Sequence, residues 1–321
     1  MRMLARWLTA VTFAMLVATL AHAQAWPSRP VRLVVNLPPG GTIDLMARLL
    51  GPKLSDALGQ PVVIENRVGA AGNVGMVSVA KSVPDGYTLL ISSGSAICIG
   101  PHLYQMGIDV AKDLDPVAPT AGNSYFLVVP ASLPVSSIAE FIAFARANPG
   151  KMNYSSAGSG SQLHIATEML KRSAKFEATH VPFKGLGPAL LALLAGQVDF
   201  MVDGGTAAPH IKAGKLRLLA AAGERRPADF PDVPTFAEVG MPEVDPDAMA
   251  GVYAPAGTPR DIIVRLNREI GRIMMQEESR VALARVAASP LTMSPEQFTA
   301  LQQRTRDRFG VFIRENNIRP D

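Results

Sequence analysis

Disulfides are the first feature this sequence cannot have. Cys98 is its one cysteine, so no intramolecular pair exists and the fold must be held by its apolar core. That residue sits among Ala96, Ile97 and Ile99, the setting of a small packed side chain and not of a nucleophile. An excess of one charge is lacking too. There are 31 Lys and Arg against 27 Asp and Glu, and the short basic pairs such as Lys171-Arg172 and Arg225-Arg226 are scattered among acidic or apolar neighbours. Without a phosphate-tracking stripe the chain has no nucleic-acid partner to expect. The five histidines, His22, His102, His164, His180 and His210, contain no H-x₃-H or Cys/His cluster, which argues against a metal site.

Several enzyme signatures are missing as well. No G-K-[ST] occurs, and the glycines near residue 40 lack the third glycine of a dinucleotide loop. Ser159 is not a nucleophile elbow, because Ala157 stands two residues before it. Asp199 and Asp203 flank a strand without a clear carboxylate partner. No cofactor is expected. Tandem repeats, low-complexity tracts and heptad series are also absent, and only one apolar run approaches membrane length.

That run is N-terminal. Arg2 and Arg6 precede the apolar stretch Leu8 to Leu20, and Ala21-His22-Ala23 has the small-x-small pattern of a signal-peptidase site. A run of roughly a dozen residues falls short of the ~20 a membrane span needs, so residues 1–23 read as a cleaved export signal. Their loss removes two basic residues from a formal charge of +4 and leaves a nearly neutral exported protein. At 48% apolar, the remaining chain is long enough for two domains.

The stretch Pro38-Pro39-Gly40-Gly41-Thr42-Ile43-Asp44 organises the rest. Arg32-Leu33-Val34-Val35 before it reads as a strand, and Leu45, Met46, Leu49 and Leu50 after it recur at helical spacing. The two glycines let backbone approach a bound group, and Thr42 or Asp44 can cap the new helix. Strand, glycines and helix N-terminus make an anion cradle without Lys or Arg; a plain capped turn is the other reading. Further β-α units follow through Val62–Ile64 and Tyr87–Ile91, the latter entering Ser92-Ser93-Gly94-Ser95. They predict a mainly parallel sheet with ligands beyond the strands' carboxyl ends.

A second lobe is expected to begin near Tyr125. Ser137 to Glu140 reads as a capping box, and Asn153 to Ser156 as a strand feeding the loop Ala157-Gly158-Ser159-Gly160-Ser161 and a helix from Gln162. This repeats the opening design with hydroxyls added. Residues 232–247, rich in Pro and acids, read as the return crossing. Thr258 is expected to cap a helix with Pro259 at its first position, and Ser294 another with Pro295. The domain reading is 24–123 plus 248–321 for one lobe and 124–247 for the other.

Several stretches then match together: Pro38-Pro39-Gly40-Gly41 with Asp44, Gly59-Gln60-Pro61-Val62 through Asn66-Arg67, Pro84-Asp85-Gly86-Tyr87, Asn148-Pro149-Gly150-Lys151, Val181-Pro182-Phe183-Lys184-Gly185, and Ala254-Pro255-Ala256-Gly257-Thr258-Pro259. The chain resembles the Bug family, periplasmic solute receptors of tripartite tricarboxylate transporters. The resemblance implies an α/β type II periplasmic-binding-protein fold, two lobes clamping a small carboxylate and delivering it to membrane permease subunits. The ligand class spans di- and tricarboxylates, amino acids and aromatic acids, and the receptor is expected to be a monomer. It implies contacts from Pro39, Gly40, Gly41 and Thr42, from Ser92, Ser93 and Ser95, and from Ser156, Gly158, Ser159, Gly160 and Ser161. His164 matches a histidine of the second-lobe helix, and Asn123 and Asp203 are further candidates. Three roles are open to Asp44: orienting its loop, holding a water, or meeting a ligand amino group. Asn36-Leu37, Ala96 to Gly100, Asp203 to Thr206 and Met249-Ala250 depart from the family pattern and predict a roomier or more apolar pocket. Two other readings stand beside the receptor: a secreted serine hydrolase using Ser161 or Ser159 with His164, and a co-sensor that hands its ligand-bound form to a signalling receptor.

Overall fold

The computed structural model describes residues 26–319 except 224–225, 228, 246–248 and 287. The expected signal segment 1–23 and the lobe boundary at 247/248 lie outside the described residues. In chain order the elements are β1 Val31–Val35, α1 Thr42–Leu58, β2 Val62–Asn66, α2 Asn73–Ala80, β3 Thr88–Ser92, a π-helical turn Ser95–Ile99, α3 Gly100–Leu103, α4 Val110–Asp113, β4 Leu114–Asn123, β5 Tyr125–Pro130, α5 Ile138–Ala147, β6 Met152–Ser156, α6 Gln162–Ala174, β7 Ala178–Pro182, α7 Leu186–Leu194, β8 Phe200–Asp203, α8 Ala208–Lys212, β9 Leu216–Ala222, β10 Ala250–Pro255, α9 Arg260–Met274, α10 Glu277–Ala284, β11 Ala288–Pro290 and α11 Pro295–Glu315. None of the described helices is long and apolar enough to cross a membrane.

The strands form two sheets. One has the order β11-β4-β10-β3-β1-β2 and the other β7-β6-β8-β5-β9. Their mainly parallel character is corrected by the pairing: β1, β2 and β3 run parallel, but β10 enters antiparallel between β3 and β4. In the second sheet β6 pairs parallel with β7 and β8, while β5 lies antiparallel to β8 and β9. The antiparallel halves arise because the chain leaves the first sheet at β4, builds the second, and returns at β10. Only Ser124 separates β4 from β5. Residues 230–241 do not yet cross. Thr235 bridges Ala221 and the Phe236 N–H donates to the Ala221 carbonyl, so this stretch lies along β9.

Burial follows from strand alternation. Val31, Leu33 and Val35 of β1 join a cluster with Met46, Leu50 and Leu54 of α1, whereas Val34 and Leu90 face the opposite side. That opposite side continues through Ile97, Phe298 and Phe309 to Phe141 of α5 and to Tyr154 and Phe200 of the second sheet, so one apolar core spans both sheets. A third cluster, with Val128, Leu190 and Leu193, covers the outer face of the second sheet. Gly51 lets α1 lie close over β2: a Cβ there would lie 2.9 Å from the tip of the Ile64 side chain.

Helix caps differ from expectation in detail. Ser294 makes the full capping box with Gln297. At α5, Ser137 accepts the Glu140 N–H, but the Glu140 carboxylate reaches back to Ser136. Thr258 is not the cap of α9; Pro259 holds that position, and the Thr258 hydroxyl donates to the Pro255 carbonyl.

Candidate ligand site between the lobes

The loop after β1 is exposed from Pro38 to Gly41 and turns at Gly40, whose φ is +81°. Gly41 occupies the N-cap of α1 and has no side chain to cap with. Thr42 is therefore the first helical residue and not the cap. Asp44 acts two residues further in. Its carboxylate accepts the Gly40 N–H at 2.9 Å, the Arg48 Nε–H at 2.9 Å and the Asn66 Nδ2–H at 2.9 Å. These donors, the Arg48 guanidinium foremost, hold its pKa down at about 2 against the opposing effect of burial. Both oxygens of this buried carboxylate are engaged by the protein. Asp44 thereby ties the turn at Gly40 to α1 and to the end of β2.

The loop after β6 is built on the same plan. Gly160 has φ +73°, Ser161 is the N-cap of α6, and His164 is the third helical residue. The Ser161 Oγ accepts the His164 N–H at 3.3 Å, while the His164 Nδ1 accepts the Gly160 N–H at 3.0 Å. The imidazole is seated by stacking on His180 at 3.9 Å and 10°, and His180 stacks in turn on Tyr154 at 4.9 Å. His180 Nε2 lies 2.7 Å from Ser156 Oγ, which also accepts the Gly158 N–H at 3.2 Å. His164 and Ser156 thus stand behind the loop and shape it.

Between the two loops lies a cavity of about 250 Å³. It is lined by Ser93 and Ser95, by the stretch Ala157 to Ser161, and by the apolar surfaces of Leu37, Ala96, Ile99 and Tyr104. No Lys or Arg is among its lining residues, so an anion here meets N–H and O–H donors only. Ser93 and Ser95 hydroxyls lie 3.0 Å apart, and Ser93 Oγ accepts the Ala96 N–H at 3.3 Å. Of the sequence candidates, Ser93, Ser95, Gly158, Ser159, Gly160 and Ser161 are brought together here. Pro39 to Thr42 stand outside the lining, and Leu37 represents their loop in it. Ser92 is fully buried. Asn123 ends β4 in register with Ala288. Asp203 is buried and committed to its own turn, accepting the N–H groups of Gly205 at 2.6 Å and Ala207 at 2.9 Å and the Thr206 hydroxyl at 2.6 Å. Burial raises its pKa against those donors.

The sequence departures also find places. Asn36 is buried under α2, donating to the Gly72 carbonyl at 3.2 Å. A Cβ at Gly72 or Gly75 would lie 2.6 or 2.7 Å from its side chain, so this position is structural. His180, Tyr154, Arg48, Asn66 and Tyr104 were not anticipated. The i,i+4 spacing of Asp44 and Arg48 is the one signal that pointed to any of them.

The contacts of Ser161 and His164 serve the loop. Ser161 meets the main chain of His164, and Nδ1 of that ring already spends its lone pair on Gly160. No group of three or more potential metal-ligating residues occurs among the described residues.

Two α/β lobes with strand–loop–helix N-termini on either side of a cleft define a type II periplasmic binding protein. The chain belongs to the tripartite tricarboxylate transporter receptor family, whose pattern it matches over residues 46–318. It is similar to Protein BugT of Bordetella pertussis, at 37% identity over 94% of each chain. Among solved structures it resembles a Rhodopseudomonas palustris protein with adipate, with TM-score 0.78 and 35% identity over 92% of this chain and all of that one. It also resembles MatC of Rhodopseudomonas palustris with bound malate, with TM-score 0.73 and 33% identity over 90% of this chain and all of that one. The protein is a periplasmic solute-binding receptor of this family.

Proposed function

We propose that this receptor captures a small carboxylate in the interlobe cleft and delivers the closed, ligand-loaded form to the permease subunits of a tripartite tricarboxylate transporter. The observation that carries this reading is a cavity at the N-terminus of α6, lined by Ser93, Ser95 and the hydroxyls and glycine backbone of Ala157 to Ser161, with no cationic side chain. Such a site favours a carboxylate over a neutral solute, a helix end contributing about 0.3–1 kcal/mol when exposed and up to ~2 when partly buried. Ser93, Ser95, Ser159 and Ser161 are the hydroxyl donors of the site, and Gly158 and Gly160 admit the ligand to the main chain. Bending at the β4–β5 junction brings Pro39 to Thr42 onto the ligand, and the added contacts of the closed state drive closure. Leu37, Ala96, Ile99 and Tyr104 suit a ligand with a methylene chain between its carboxylates.

Similarity to receptors holding adipate and malate makes these two the first probes. With either at about 100 times its Kd, stability should rise by about 2.7 kcal/mol, read as a thermal shift and checked by calorimetric titration. No shift with any di- or monocarboxylate, beside a shift with a neutral solute, would overturn the reading. Ester turnover that vanishes in Ser161→Ala would overturn it as the sole function. The receptor is read as a monomer, which sedimentation of the free and loaded forms checks.

A further inference from the structure

A second cavity, of about 240 Å³, lies in the first lobe behind the wall of the cleft. The π-helical turn Ser95–Ile99 is that wall. Ala96 and Ile99 line the cleft, whereas Ile97 lines the second cavity. An irregular pairing lies at its edge. Tyr253 of β10 is opposite Pro116 of β4, and the register shifts between Val252 and Tyr253. A proline gives no N–H to the ladder, and bulges of this kind open space beside functional sites. On the other side α11 presents Gln302 and Arg306.

The polar groups here are incompletely used. Tyr253 is 1% exposed, and its hydroxyl has no hydrogen-bond partner among the described residues. Burial pushes its pKa well above the ordinary value, so the group stays an O–H donor. A buried donor left unmade costs about 1–3 kcal/mol, a cost that a bound acceptor removes. Cys98 donates its S–H to the Gln302 Oε1 at 2.8 Å, which fixes the amide and leaves its N–H donors for another acceptor. Arg306 joins no ion pair among the described residues, and no carboxylate is among the residues lining the cavity. Ile97, Val110 and Leu114 supply an apolar floor. The cavity exceeds the roughly 30 Å³ share of one water and is smaller than the roughly 300–1,000 Å³ of sites for drug-sized ligands.

We propose that this cavity is a second ligand site, taking a short-chain monocarboxylate whose carboxylate meets Arg306, Gln302 and Tyr253 and whose alkyl arm packs on Ile97 and Leu114. Because the π-helical turn is common to both cavities, an occupant braces the wall that carries Ser95 into the cleft. Such turns recur at functional sites. The site rests on residues outside the cleft and stands apart from the receptor reading.

Titration of the full mature chain with valerate, read at the isoleucine methyl groups by NMR, tests it. Ile97 reports the second cavity and Ile99 the cleft. The Ile97 methyl is expected to shift along its own curve. Arg306→Gln should weaken that curve by about tenfold or more, equivalent to about 1.4 kcal/mol, and leave the Ile99 curve unchanged. Tyr253→Phe should weaken it while keeping the fold, since the hydroxyl it removes has no partner. An Ile97 methyl that does not move, or one that follows the Ile99 curve equally in the wild type and in Arg306→Gln, would overturn the proposal. Failure of the receptor reading would show at Ile99 alone.

Discussion

The two loops that face the cleft share one design and differ in one respect. In each, a glycine with positive φ precedes the N-cap, and the third helical residue reaches back to that glycine's N–H: Asp44 to Gly40, His164 to Gly160. The difference lies at the cap. Ser161 takes up a first-turn N–H of α6, whereas Gly41 leaves α1 without a side-chain cap. The second loop is satisfied by its own residues and offers hydroxyls to a ligand. The first keeps backbone donors exposed, and a bound carboxylate would serve as the missing cap. Unequal halves of this kind suit a clamp in which one jaw is pre-formed and the other completes itself on the ligand.

The largest effect is expected from removing the carboxylate that shapes the first jaw. Asp44→Ala frees three donors at once, and it should cost about 2–3 kcal/mol of stability and most of the ligand affinity. Denaturant titration and calorimetry check both. A variant with full affinity would show that the first jaw is no part of the site. Next in size is an exchange of caps. Gly41→Ser should stabilise the free protein by up to about 1 kcal/mol, since φ −79° and ψ 171° at that position suit a serine N-cap. It should also weaken ligand binding, because the new hydroxyl competes for the exposed N–H groups. Ser161→Ala should lose about 1 kcal/mol of stability. If Gly41→Ser strengthens binding, the contrast between the jaws is wrong.

Acid provides a milder perturbation of the same contrast. The folded pKa of Asp44 is held at about 2, below its ordinary 3.8, so its contribution is fully present above about pH 4 and is lost as pH falls toward 2. The second jaw has no carboxylate at the matching position. Unfolding free energies measured between pH 5 and pH 2 should therefore fall less steeply in Asp44→Asn than in the wild type, and parallel slopes would remove Asp44 from the acid response.

Much of this was legible in the sequence because local chemistry decides it. The strand–Gly–helix stretches at 31–50 and 152–170 announce both loops through periodicity and glycine placement, and Ser294 with Gln297 announces a capping box. β4 was not legible, since Pro116 and Pro119 speak against a strand, and its pairing depends on β10 arriving from more than a hundred residues away. The same holds for the stack of His164, His180 and Tyr154. His180 comes from β7 and Tyr154 from β6, and only the parallel register that sets Tyr154 opposite His180 brings them together. Asp203 misled for a related reason: an acidic residue at a strand's carboxyl end reads as a ligand contact until its turn is seen to use both oxygens.

The smallest effect separates the glycines themselves. Alanine at Gly40 would meet nothing within 4 Å and bear only the strain of φ +81°, about 1 kcal/mol. At Gly160 the same change adds a Cβ 2.3 Å from Leu103 Cδ1, on top of similar strain at φ +73°. Leu103 belongs to α3 of the first lobe, so that clash acts between the lobes and not within one. Gly160→Ala should therefore shift the equilibrium between open and closed forms as well as stability, read by small-angle scattering of the free protein. Gly40→Ala should leave the scattering profile unchanged. Equal profiles for the two variants would mean that the second loop does not bear on the first lobe in solution, and that the pre-formed jaw is held by its own helix alone.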